Sequence, residues 1–187
     1  MTQLMTEQGI VKVPAGTWKV DQSHSSVAFE VKHMMISTVR GLLSEYDGRL
    51  EAQEDPEQST VTGWAAAASI DTGDADRDAH LRGPDFFDAD HYPRLSFVST
   101  AIRHLEGGTY AVTGDLTIKG VTREVTVEAT VQGTGEDPWG NQRAGIAVRG
   151  SIDRTDFGLT WQSRLAGGGL LVGEEVNLLL DVSAIAS

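Results

Sequence analysis

The feature that most constrains this chain is a two-residue alternation of apolar and polar side chains that recurs along most of its length. In the segment SVAFEVKH, Val27, Phe29, Val31 and His33 fall on one face of an extended strand, and Ala28, Glu30 and Lys32 on the other. A helix, with about 3.6 residues per turn, cannot place such a pattern on one side. The same beat marks RLSFVSTAIRHL, TYAVTGDLTIKG, TREVTVEATVQG, RAGIAVRGSIDR and EEVNLLLDVSAI, with turns at EGG and at Gly120. With TVRGLLSEYDGRLEA and TVTGWAAAASI this makes about eight strands, which predicts an all-β fold, an antiparallel eight-stranded barrel or a sandwich.

One stretch breaks the beat. In DADRDAHLRGPDFF, Asp74, Asp76 and Asp78 stand where a helix start favours negative charge, and Gly83-Pro84 forms a stop. The spacing predicts a short helix over Ala75–Arg82 and a second turn from Pro84. Residues 1–15 read as an N-terminal lead-in, and 16–187 as one barrel domain without repeat or linker.

Composition narrows the function. The net charge of -12 repels nucleic-acid backbones and anionic lipid surfaces. No run of about 18 apolar residues is present, so stable membrane insertion is not expected. The start lacks the basic and apolar regions of a secretory signal, and the expected location is cytoplasmic. The absence of cysteine excludes disulfides, thiolate catalysis and cysteine-ligated metals.

The phase of the alternation places Val61, Gly63, Ala65 and Ala67 inside, with Leu95 and Phe97, and with Val112, Gly114, Leu116 and Ile118. Several of these are small. Small inward residues leave room for an apolar guest in a barrel of this size. Alternatively, they mark bends and close contacts in a packed core. Trp64 faces outward, either beneath a covering segment or as a self-association surface.

Signals for catalysis are weak. The five histidines form no H-x-x-x-H or H-E-x-x-H pair. Asp76 and His80 share a helical face at i, i+4 spacing, but no G-x-S-x-G nucleophile accompanies them. A metal site assembled from distant strands would draw on His24, His33 and His80. That defines the alternative reading, a metal-dependent enzyme acting on a lipid-like substrate.

The words VDQSHSSVAFEVKH, STVRGLLSEYDGRL, SIDTGDADRDAHLRGPDFFD, YPRLSFVST, GDLTIKGVTREV and IDRTDFGL, in that order from Thr17 to Ile185, resemble the YceI-like family. The motif positions that carry over are His24, His33, Asp78, His80, Phe86, Phe87, Arg154 and Phe157. The resemblance implies a lipocalin-like barrel whose tunnel binds a polyisoprenoid, quinone or fatty-acid-like chain, as a non-enzymatic carrier or store. It implies no catalytic residue, no metal and no cofactor, and a homodimer. The tunnel lining expected on this basis is Phe29, Val31, Leu43, Phe87, Phe97, Leu116, Ile118 and Phe157, with His33 and Arg154 at a polar headgroup. Leu43 stands where the family often carries an aromatic residue, which reshapes the tunnel.

Overall fold

A computed structural model describes Thr6–Glu7 and residues 10–187. In chain order the strands are β1 (Thr6–Glu7), β2 (Ile10–Val11), β3 (Gly16–Val20), β4 (Ser26–His33), β5 (Ser37–Leu43), β6 (Tyr46–Ala52), β7 (Thr60–Ala66), β8 (Ile70–Asp71), β9 (Arg94–Glu106), β10 (Thr109–Ile118), β11 (Val121–Glu136), β12 (Gln142–Asp153) and β13 (Val172–Ala186). The helix α1 spans Ala75–Arg82, with Asp74 as its cap accepting from the Arg77 amide. These are the bounds that the acidic start and the Gly-Pro stop predict.

Three pairs of strands act as single staves, β3 with β4, β5 with β6, and β7 with β8, and β9 to β13 supply the rest of an eight-stave ring. Each stave pairs antiparallel with the next in sequence, and β13 closes the ring onto β3 and β4. Connections between sequence neighbours therefore generate the whole barrel, and among the described residues only the β8–β9 link carries an α-helix.

The breaks within staves have local causes. Between β3 and β4 a 3₁₀ turn (Gln22–His24) interrupts the ladder, capped by Asp21. Ser25 bridges the gap by accepting from the Ser183 amide at 2.9 Å. Between β7 and β8, Ala67–Ser69 forms another 3₁₀ turn, so the alanine run reads as strand only as far as Ala66. Register shifts fall at Thr109/Tyr110 and Thr113/Gly114 in the β9–β10 pair and at Val131/Gly133 in the β11–β12 pair. They lie beyond Leu95 and Phe97 on β9 and do not change the shared face of Val125, Val127 and Ala129 on β11.

One end of the barrel is filled by Trp18, Ala52, Ala144 and Ala184. Val13, within the region read as lead-in, is also buried there, and the Val11 amide donates to Gly107. Within the lead-in, residues 1–5 and 8–9 lie outside the described residues. The other end is covered by α1, the Pro84–Tyr92 segment and the 158–171 loop, all of them outside the sheet. Trp64 does face outward, and the Arg94 guanidinium lies over its ring at 4.1 Å.

Candidate functional site

Inside the barrel the apolar residues sort into packed ends and an unpacked middle. The helical end holds two buried clusters, Leu43, Tyr46, Ala65 and Ile70 in one, and Phe86, Ile118, Phe157 and Leu159 in the other. Leu81, Phe87 and Leu95 pack against both. Phe97, Val127, Val148, Leu178 and Leu180 stand apart from all three clusters and keep partial solvent access. In a filled barrel such axis-facing side chains would be enclosed as Ile70 is, at 0 % exposure.

Gly63 shows the space directly. It shares the inward face of β7 with the buried Ala65. A Cβ added to Gly63 would meet only the Asp47 carbonyl oxygen at 3.4 Å and the Gly48 Cα at 3.9 Å, both wall backbone, and no side chain. A core position of a filled barrel is surrounded by side chains. No side chain approaches within 4 Å of that point, so the interior is open beside Gly63.

The other small inward residues work differently. A Cβ on Gly114 would come within 2.5 Å of the Phe97 ring, one on Gly150 within 2.7 Å of Val127, and one on Gly41 would collide with the Phe29 ring. These glycines do not themselves leave voids. They let the neighbouring Phe97, Val127 and Phe29 side chains lie over the glycine backbone.

The residues expected to line a tunnel divide accordingly. Phe29, Val31, Phe87, Phe97 and Leu116 are half-buried and face the interior or its helical end. Leu43, Ile118 and Phe157 are buried members of the end clusters. His33 ends β4, opposite Ser37 and Val172, and its ring has no hydrogen-bond partner among the described residues. Arg154 is 5 % exposed, and its donors go to the carbonyls of Gly173 (2.8 Å), Leu159, Trp161 (3.0 Å) and Val172 (3.3 Å). Burial pushes its pKa down, against the opposing pull of Glu174 and Asp153. Its guanidinium thus clamps both ends of the 158–171 loop. Gln162 adds a second clasp, donating to the Val172 carbonyl and accepting from the amides of Leu171 and Val172. Sequence reasoning missed Gln162, Trp161 and the role of Arg154, because the bonds run from side chains to loop backbone.

The cap around α1 is tied down by polar contacts. Asp78, buried, accepts from the Thr72 amide (2.9 Å) and hydroxyl (2.6 Å). Arg82 donates to the carbonyls of Ala68 and Ile70. His80 pairs with Asp85 at 2.9 Å, not with Asp76, and its ring meets Phe86 and Trp161 edge-on at 5.1 and 4.8 Å. The i, i+4 spacing allowed an Asp76 pair, but the Pro84 turn brings Asp85 back to the imidazole. Phe86 anchors this aromatic group while Phe87 reaches inward.

The polar cluster at the β3–β4 break does not form a relay. Ser23, His24 and Asp21 lie within hydrogen-bond distance, but Ser23 (2.9 Å) and Asp21 (2.7 Å) both contact the same imidazole nitrogen, Nδ1. A relay needs the base on one nitrogen and its orienting carboxylate on the other. Hydrogen bonds from Ser23, Arg143 and His24 hold the Asp21 carboxyl far below its ordinary range, as a structural anion. Among the described residues no group of three or more His, Asp or Glu side chains is placed to hold a metal. His24, His33 and His80 sit on separate elements, at the β3–β4 break, the end of β4 and α1. Outside the barrel a cleft of about 450 Å³ lies beside α1, lined by Ser44, Asp71, Asp74, Asp78 and Arg82. Its charged groups bond to neighbouring backbone, as Asp71 does to the Gly73 amide. The hollow is the better candidate for a ligand.

Comparison with known proteins agrees with this architecture. The YceI-like domain family matches residues 18–184. Protein YceI of Shigella flexneri is 35 % identical over 174 residues, 91 % of this chain and 87 % of that protein. The crystal structure of Burkholderia cenocepacia BcnA superposes with a TM-score of 0.77 at 28 % identity, covering 88 % of this chain and 98 % of BcnA. A polyisoprenoid binding domain from Saccharophagus degradans, implicated in plant cell wall breakdown, shares the fold with a TM-score of 0.68 at 14 % identity, over 91 % of this chain and 98 % of that domain. A closed antiparallel barrel of eight staves, with this match over nearly its whole length, makes the chain a member of the YceI-like domain family.

Proposed function

We propose that the barrel binds a polyisoprenoid or another long-chain apolar lipid in its hollow, without chemical change, as a carrier or store. The observation that carries this reading is the unfilled interior at Gly63, bordered by apolar side chains that retain access. The name of the Saccharophagus degradans domain is consistent with it. The energetics suffice: about 0.8 kcal/mol per buried methylene gives roughly 10 kcal/mol for a dozen, against about 8 needed for micromolar binding. The lining side chains that keep access, Phe29, Val31, Phe87, Phe97 and Leu116, then contact the chain. A headgroup at the helical end meets His33 in preference to Arg154, whose donors are already bonded to backbone.

The test is native mass spectrometry of detergent-free protein, before and after organic extraction, followed by titration with a long-chain prenyl alcohol. The reading expects one chain per barrel at micromolar concentration. Extracted, refolded protein that takes up neither prenyl nor acyl chains would overturn it.

A further inference from the structure

Gly48 and Gly63 face each other directly across β6 and β7. The next inward rung toward the Trp18 end is Leu50 opposite Val61, and Leu50 packs on the Trp18 cluster. The next rung toward the helical end is Tyr46 opposite Ala65, both buried. The glycine pair is therefore an open rung between the buried Tyr46–Ala65 rung and the Leu50–Val61 rung, whose Leu50 packs on the Trp18 cluster.

The neighbours of this rung leave it open. Val20 flanks it on the Gly48 side, with its Cγ2 at 3.1 Å from a Cβ built there. Phe97 is the register partner of Gly63 on the other side. Its ring leans over Gly114, so none of its atoms lies within 4 Å of a Cβ on Gly63. The result is a recess in the wall, between Val20 and Phe97, just above the sealed end.

We infer that the Gly48–Gly63 recess receives the far end of the bound chain, and that Gly63 sets the longest chain the barrel accepts. This rests on the lipid-binding reading above. The end walled by Trp18 is filled by side chains of the staves together with Val13 from the segment before β3, whereas the helical end is closed by α1 and two loops outside the sheet. A chain enters from the helical end and stops at the Leu50–Val61 rung, where Leu50 packs on the Trp18 cluster. The recess is the last free volume on that path, so adding a side chain there shortens the path without touching the cap.

Gly63 is suited to the test because its backbone is not in the left-handed region and an added Cβ makes only ordinary contacts. The experiment compares wild type, Gly63→Ala and Gly63→Leu by thermal melting and by binding of all-trans prenyl alcohols graded in length from farnesol upward. The expected result is unchanged cooperative melting and an affinity for the longest alcohols about tenfold lower in Gly63→Leu. Farnesol binding should stay within about twofold, with Gly63→Ala in between. Equal loss across the series, or no loss at any length, overturns the inference while leaving lipid binding intact. Wild-type protein that binds no member of the series overturns the lipid reading, and the inference with it. If Gly63→Leu does not fold, the Gly63→Ala length profile decides.

Discussion

Phe97 lies across Gly114: a methyl group on that glycine would stand 2.5 Å from the ring's Cζ and 2.5 Å from the Val98 carbonyl oxygen. The carbonyl belongs to the sheet and cannot swing away, so the ring must. Its remaining path leads toward the axis. Gly114→Ala should therefore cost about 1–3 kcal/mol by overpacking, less about 0.5–1 kcal/mol recovered from the unfolded state. It should also narrow the hollow. Urea unfolding reads the first effect and prenyl alcohol titration the second. An unperturbed alanine variant with full binding would show that the ring does not depend on that glycine.

Arg154 supports the 158–171 loop through main-chain carbonyls alone. Arg154→Met leaves buried acceptors unpaired, at about 1–3 kcal/mol for each one that stays dry. A loss of about 3 kcal/mol in chemical denaturation is expected. Arg154→Lys should recover little of it, because an ammonium lacks the planar fork that reaches carbonyls on two sides. Full rescue by lysine would mean that charge, and not geometry, holds the loop.

Much of this architecture was legible in the sequence, for a physical reason. Two-residue alternation fixes which face is buried, and Val27, Phe29, Gly63, Ala65 and Leu116 all lie on the predicted side. The helix limits follow from Asp74 and Gly83. The site was less legible. Small inward residues such as Gly114 were read either as volume or as close contacts, and at Gly114, as at Gly41 and Gly150, the space is filled by a neighbour across the ladder. Gly63 opens onto the hollow, and that depends on where the Phe97 ring leans. Such cross-strand choices depend on register and rotamer, which one strand's pattern does not encode. The Arg154 clamp was hidden likewise, since its partners are carbonyls that any sequence provides.

The β4–β5 hairpin turns through Met34 (φ 53°) and Met35 (φ 61°), both in the left-handed region that side chains disfavour. Met35 is 59 % exposed and contributes little packing. The double substitution Met34→Asn with Met35→Gly, the pair that such a turn prefers, should stabilise the fold by about 1 kcal/mol. The main-chain bond from the amide at position 34 to the Leu171 carbonyl is retained. Differential scanning calorimetry should show a higher midpoint. A lower one would mean that the methionine side chains stabilise the turn.

Asp137 accepts from the side chain and amide of Asn141, from Arg143 and from the Trp139 amide, which holds its pKa far below the ordinary 3.8. A depressed native pKa adds stability above the unfolded value and loses it as pH falls toward the native one. The stability gap between wild type and Asp137→Asn should be widest above pH 3.8 and close progressively below it. Denaturant midpoints measured across that range check this. A gap that does not change with pH would assign the effect to shape alone.

The central claim is that the staves enclose a continuous apolar space. A crystal structure of the extracted protein soaked with a long-chain prenyl alcohol tests it most directly. The account predicts a single chain running inside the barrel past Phe29 and Leu178, ending against Gly48 and Gly63. Side chains of Phe29, Phe97 and Leu178 meeting across the axis, with the alcohol absent or bound only outside, would contradict it.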